Sequence, residues 1–133
     1  MPQTKTIKKI VEKIFLNKGL KLKHSKLCAE ALINAELVGA PSHGLSRLKM
    51  YCERIEKKII NKNPKIKIRK ISGSIAHINA DNAIGFVSAQ LGINLAIKYA
   101  KKNGIGLVAI KNSGHYGLSG YYAEQAVKKN LIT

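Results

Sequence analysis

A chain of 133 residues with 45% hydrophobic side chains is one domain's worth of polypeptide, long enough to bury a core. Its formal net charge of +17 comes from 24 basic against 7 acidic residues, and all but Arg47, Arg54 and Arg69 of the basic ones are lysine. Base readers favour the arginine fork and single-strand binders need stacking aromatics, so two Phe, five Tyr and no Trp argue against a specific nucleic-acid partner. The lysines read as solvated faces whose positive field should still attract anionic small molecules. Cys28 and Cys52 have neither CxxC nor Cys/His ligand spacing, which suits small buried hydrophobes in a reducing compartment and predicts no metal site. Lysines at 5, 8, 9, 13 and 18 interrupt any apolar signal core, and no apolar run approaches membrane-spanning length. The expectation is a cytoplasmic chain without a membrane partner.

In chain order, residues 4–17 predict a helix with Ile7, Ile10, Val11 and Ile14 on one face and Thr4 or Thr6 as cap. Asn17-Lys18-Gly19 stops it. A second helix spans about 25–38, capped by Ser25 and ended by Gly39 and Pro41. A third spans about 43–60, capped by Ser42, with a seam of Leu45, Leu48, Cys52, Ile55 and Ile59. Asn61 to Pro64 breaks the pattern and divides a helical region, 1–62, from an α/β region, 63–133. Residues 65–69 and 75–79 read as strands and 86–102 as a helix with a broad apolar band. Residues 105–110 then form a core strand, and residues 121–129 the last helix. Leu131-Ile132-Thr133 has the character of a further strand. Three helices followed by β-β-α-β-α predict an α/β fold with a helical N-terminal layer.

Two clusters carry chemistry. Asn112-Ser113-Gly114-His115-Tyr116-Gly117 lies between a buried strand and a helix. Ligands of α/β folds bind at such places, beyond the carboxyl ends of strands. Glycine there permits close backbone approach, and histidine titrates near neutrality. Read alone, the stretch fits either a catalytic imidazole or a Gly-rich turn whose histidine caps something. The second cluster is Gly39-Ala40-Pro41-Ser42-His43-Gly44 with Arg47 and Tyr51, four apart on one helical surface away from the seam. At a helix N-terminus, Ser42, Arg47 and Tyr51 could clamp a carboxylate. A surface Arg–Tyr pair with a serine cap is the other reading of that cluster.

Together these motifs, with Asp81-Asn82-Ala83-Ile84-Gly85, Tyr121 and Ala123, resemble the malate/L-lactate dehydrogenase superfamily. Its members include malate, sulfolactate and ureidoglycolate dehydrogenases and related reductases. They bind NAD or NADP on a fold of their own, without the usual Rossmann fingerprint, and GxGxxG is absent here. The resemblance implies hydride transfer between nicotinamide and the carbon of a small 2-hydroxy or 2-keto acid. Either His115 or the Ser42–His43 pair would move the hydroxyl proton. By the same resemblance Arg47 would hold the substrate carboxylate and Tyr51 would line the pocket. Tyr116, Gly117, Leu118 and Ser119 would touch the cofactor, and the full-length form would be a homodimer. The resemblance covers only the N-terminal part of much longer enzymes, and a lysine and an aspartate that complete their site are missing. The expected entity is an N-terminal fragment of an NAD(P)-dependent oxidoreductase, inactive alone because positioning supplies most of the rate. The alternatives are a truncated non-catalytic chain or a basic polyanion-binding module.

Overall fold

The computed structural model describes residues 2–133 and places ten short elements around one core. Helix α1 (Pro2–Asn17) and helix α2 (Leu22–Leu37) pair through Val11, Phe15, Leu20, Cys28 and Leu32, all buried. The chain turns at Gly19, whose φ of 91° is open to glycine without strain. Helix α1 begins ahead of Thr4 and Thr6, so neither serves as its cap. Helix α2 likewise starts at Leu22, which puts Ser25 inside its first turn. Ser25 Oγ, fully buried, donates back to the Lys21 carbonyl at 3.2 Å.

The expected third helix is not continuous. Pro41–His43 and Leu45–Arg47 form two 3-10 turns, and helix α3 covers only Leu48–Glu56. Gly44, at φ −97° and ψ −137°, breaks the helical path between the turns. Of the expected seam, Leu45, Leu48 and Ile55 do pack against the core, Cys52 is only part-buried, and Tyr51 takes a buried place the seam did not include. Tyr51 and Ile55 are buried, whereas Ile59 is exposed beyond the helix end. Tyr51, expected on the outer surface, joins the core through edge-tilted contacts with Phe15 at 6.5 Å and Phe86 at 4.9 Å.

Strand β1 (Lys67–Lys70) runs antiparallel to β2 (Ile75–Ala83), and β3 (Leu107–Ser113) lies parallel to β2 on its other side. Helix α4 (Gly85–Asn103) makes the crossover and covers one sheet face, closing at Gly104 in the left-handed region. Register aligns Ile78 with Ile110 and Ala76 with Val108 beneath it. The opposite face carries Lys67, Arg69, His77 and Lys111 in facing positions and is solvated. Helix α5 (Ser119–Val127) packs on α4, tied to it by a reciprocal amide pair, Gln90 with Gln125. The buried cluster joins Val11, Phe15 and Leu32 to Ile84, Phe86 and Val87, so both sides of residue 62 share one core. Residues 131–133 have no regular structure, contrary to the expected strand. Ile105, Leu107, Val127 and Ile132 stand exposed.

Parallel β2 and β3 deliver their carboxyl ends to the same edge, and there the strand path is bent. Asp81 and Asn82 both adopt positive φ (52° and 56°), which asparagine and aspartate tolerate better than other residues. The Asp81 carboxylate holds the bend by accepting the Lys65 N–H at 2.8 Å and the Asn61 amide at 3.0 Å. Asn112 has φ 53° and donates from its amide to Asn79 Oδ1 at 3.0 Å. These bends aim Ala83–Gly85 and Gly114–Gly117 at each other.

Candidate active site

Position comes from tight backbone packing. An ideal Cβ built on Gly85 would lie 2.3 Å from the carbonyl oxygens of both Gly114 and His115. The first residue of α4 therefore seats the backbone that carries the imidazole. Gly117, at φ 80°, lies over Phe86, whose Cε1 would be 2.6 Å from an added Cβ. Neither glycine can take a side chain without moving the loop. The loop is further tied down by Tyr122 Oη, which donates to the Tyr116 carbonyl at 2.8 Å.

Three elements then converge on His115. From α3, Tyr51 Oη lies 2.7 Å from His115 Nδ1. From the 3-10 turns, the His43 ring stacks on it with centroids 6.0 Å apart and planes 22° off parallel. Ser42 Oγ is 3.1 Å from His43 Nδ1, and Arg47 Nε donates to the Ser42 carbonyl at 2.7 Å. That bond uses one edge of the guanidinium and leaves both terminal nitrogens for another acceptor. Arg47 is exposed and takes part in no ion pair among the described residues. Residues 72 apart in sequence, His43 and His115, thus share one site with Ser42, Arg47 and Tyr51.

Electrostatics set the protonation states. Burial, with a smaller contribution from Cys28, pushes the Tyr51 phenol well above its ordinary value, against the pull of Arg54 and Arg47. It stays neutral and can donate or accept. His115 is held below the ordinary 6.5, chiefly by desolvation, then by His43, Arg47 and Arg54. The Gly117 N–H approaches its Nδ1 at 3.3 Å, a long contact that favours a resting proton on Nε2. When Nδ1–H turns to donate to Tyr51 Oη instead, Nε2 becomes a base facing outward. Protonated on both nitrogens, the ring keeps the Tyr51 bond and Nε2–H becomes an acid. Tyr51 thus orients the ring in either state.

The Tyr116–Ser119 segment sits on the other side of the loop. Tyr116 and Ser119 are exposed and share a 3.1 Å hydroxyl contact. With Gly114 they border a cavity of about 650 Å³ walled by Ser88, Gly92, Ile93, Val108 and Ile110. His115 does not line that cavity, so proton chemistry and the apolar wall meet only across the loop. Among the described residues, no group of three or more His, Cys, Asp or Glu could hold a metal ion. None of the helices there is long and apolar enough to cross a membrane. Sequence reasoning missed Gly85, Phe86 and Glu36 as supports. Only a glycine opening a helix directly after a strand signalled the first.

The folded-state preference for neutral histidine has a pH signature. His24 is also held below 6.5 by burial and then by Lys21 and Lys23, and its buried Nδ1 has no hydrogen-bond partner. For both His24 and His115 the unfolded chain binds protons more readily than the folded one. Stability is therefore full above 6.5 and falls as pH drops through the lowered folded values. Urea midpoints should be lower at pH 5 than at pH 7.5, and in His24→Gln the difference should shrink. Equal midpoints at the two pH values would show that these rings do not prefer neutrality.

A helical layer on an α/β crossover thus brings a histidine pair, a tyrosine and an arginine together at the strand ends. Residues 3–133 match the malate/L-lactate dehydrogenase family, and the chain belongs to that family. It is 37% identical to the malate/(S)-sulfolactate dehydrogenase of Methanothermus fervidus over 92% of this chain and 36% of that protein. It is also 37% identical to the ureidoglycolate dehydrogenase (NAD(+)) of Escherichia coli O157:H7, over 96% of this chain and 36% of the relative. The solved structure of Pyrococcus horikoshii OT3 malate dehydrogenase superposes with a TM-score of 0.92 at 36% identity, covering 95% of this chain and 36% of the other. The chain spans little more than a third of the length of these relatives.

Proposed function

We propose that these residues form the proton-transfer and carboxylate-binding part of an NAD(P)-dependent 2-hydroxy acid dehydrogenase. The observation that carries the reading is the 2.7 Å Tyr51–His115 contact beneath the stacked His43, with Arg47 free at the rim. In the oxidation direction, Nε2 of His115 takes the hydroxyl proton of a 2-hydroxy acid while Nδ1–H donates to Tyr51. In reduction the protonated ring returns it to the keto oxygen. The Ser42–His43 pair flanks the same proton path, and both histidines remain in the proposal. Arg47 holds the substrate carboxylate through its terminal nitrogens. NAD is the cofactor that one relative's name carries; NADP is the other member of the proposed pair. The apolar wall at Ile93, Val108 and Ile110, with hydroxyls on Ser113, Tyr116 and Ser119, fits the nicotinamide end of such a molecule. When bound, nicotinamide supplies the hydride acceptor or donor. The remaining contacts to a dinucleotide, a cytoplasmic location and a homodimer belong to the full-length form in this reading.

Arg47→Lys tests the carboxylate role in a chain completed to the relatives' full length. Lysine cannot reproduce the planar fork, so kcat/KM for the 2-hydroxy acid should fall by roughly 1–3 kcal/mol of transition-state stabilisation. The measurement is NAD reduction followed over substrate concentration. Unchanged kinetics would return Arg47 to the solvated surface.

A further inference from the structure

We infer that Glu36 is a positioning residue for the histidine pair: its carboxylate pins the Ser42–Arg47 segment and so holds His43 over His115. Glu36 sits in the last turn of α2, where a negative charge opposes the helix dipole. It is half-buried in a chain of net charge +17, yet none of the four ion pairs among the described residues includes it. Partial burial of an unpaired carboxylate needs a compensating donor. That donor is the backbone N–H of Leu45, 2.6 Å from Glu36 Oε1. Leu45 opens the run that continues through Arg47 into α3, so the carboxylate caps the positive end of the next helical segment. One helix end offsets the unfavourable field of the other.

Shape reinforces the bond. A Cβ on Gly44 would fall 2.2 Å from Glu36 Oε1 and 2.8 Å from its Cδ. Gly44 is buried, and the carboxylate occupies the space where a side chain would be. Internal bonds tie the segment together: Ser46 Oγ to the Pro41 carbonyl at 2.7 Å, Arg47 Nε to the Ser42 carbonyl at 2.7 Å, and His43 N–H to the Ala40 carbonyl at 3.0 Å. Those bonds make residues 40–47 a rigid unit and leave its attachment to α2 to few groups. Glu36 supplies the side-chain attachment, beside the Ala40 N–H to Ala35 carbonyl bond at 2.8 Å. His43 is in the unit that Glu36 fixes, and His115 is on the loop after β3, held from α3 by Tyr51. The 6.0 Å ring separation therefore depends on that attachment.

The inference rests on the proposed role of the histidine pair, but its test reads geometry, not turnover. NMR of the 133-residue chain, with labelled histidine and backbone nitrogen, follows the Leu45 amide, the His43–His115 ring contacts and the His115 titration. In Glu36→Gln the acceptor oxygen remains without its charge. The Leu45 amide resonance should move upfield, and its proton should exchange about tenfold faster, the scale of a lost charge-assisted bond. In Glu36→Ala the unit is unpinned. Ring-to-ring contacts between His43 and His115 should then weaken, and the His115 midpoint should rise toward 6.5 as His43 moves off. An unmoved Leu45 amide in the Gln variant overturns the inference even if the Ala variant fails to fold. A His115 midpoint and ring contacts unchanged in a folded Ala variant overturn it equally. Either result leaves the proposed reaction standing, since that reading fails only through loss-of-turnover tests on His115 and Arg47.

Discussion

Replacing His115 with Asn in a chain completed to the relatives' full length should lower kcat by about 10²–10⁴-fold while leaving the melting temperature nearly unchanged. The two halves of that expectation come from different observations. His115 is exposed, and its ring is held from one side by Tyr51 and from the other by His43, so removing it opens no core cavity. Its neutral state at pH 7 follows from desolvation and three nearby cationic or titratable groups. A base with a value below 6.5 is ready to accept a proton throughout the neutral range. Oxidation of the hydroxy acid should accordingly rise with pH through a midpoint below 6.5 and level off above it. In the Asn variant this limb should disappear from the residual rate. If His115→Asn turned over normally and His43→Asn did not, the proton would be passing through the Ser42–His43 pair. Losses of similar size in both variants would fit rings acting as one unit, whose separate removals need not add.

Much of the fold was legible because its signals are local. The α1, α2 and α4 spans follow from apolar periodicity and from glycine stops at Gly19, Gly39 and Gly104, all at positive φ. The parallel β2–β3 pair follows from two strand patterns separated by a long apolar helix. Periodicity failed at residues 41–60. There a buried glycine interrupts the start of the expected helix, and Tyr51 takes a buried place the seam did not include. The spacing of Leu45, Leu48, Cys52 and Ile55 is genuine, but the helix opens as a 3-10 turn over Leu45–Arg47 and ends at Glu56, short of Ile59. Leu131–Thr133 has strand composition without a ladder partner, and composition cannot supply the hydrogen bonds of a neighbouring strand.

The site was legible in its chemistry and not in its supports. Ser42, His43, Arg47, Tyr51 and His115 stand out as residue types with a function, and they converge. Nothing in the sequence singles out Glu36. Its role appears only when the backbone of Leu45, nine residues later, comes within bonding distance. The separation of His115 from the 650 Å³ cavity was equally hidden, because a strand-to-helix loop has two sides and sequence does not say which faces which.

Gly85→Ala should be a strongly damaging single-methyl change, with two separable consequences. The added Cβ would meet two backbone carbonyl oxygens at 2.3 Å, and backbone cannot swing aside as a flexible side chain can. Two adjustments are open. Either α4 slides out along its axis, disturbing the contact of Phe86 with Tyr51, or the Gly114–His115 segment lifts away. Overpacking of this kind costs about 1–3 kcal/mol. Alanine's better helix propensity returns less than about 1 kcal/mol, and less still at a first helical position. The variant should therefore unfold at lower urea concentration despite a substitution that ordinarily helps helices. Lifting the segment would also lengthen the 2.7 Å Tyr51–His115 contact, which releases the ring's orientation and part of its desolvation. The His115 titration should then move up toward 6.5 in the folded variant. A Gly92→Ala variant is the control, because its Cβ would press on the movable Cδ1 of Ile110, away from the loop. It should lose stability without altering the His115 midpoint. If Gly85→Ala were as stable as the parent and left that midpoint unmoved, the close packing of α4 against the loop would not be what positions the imidazole.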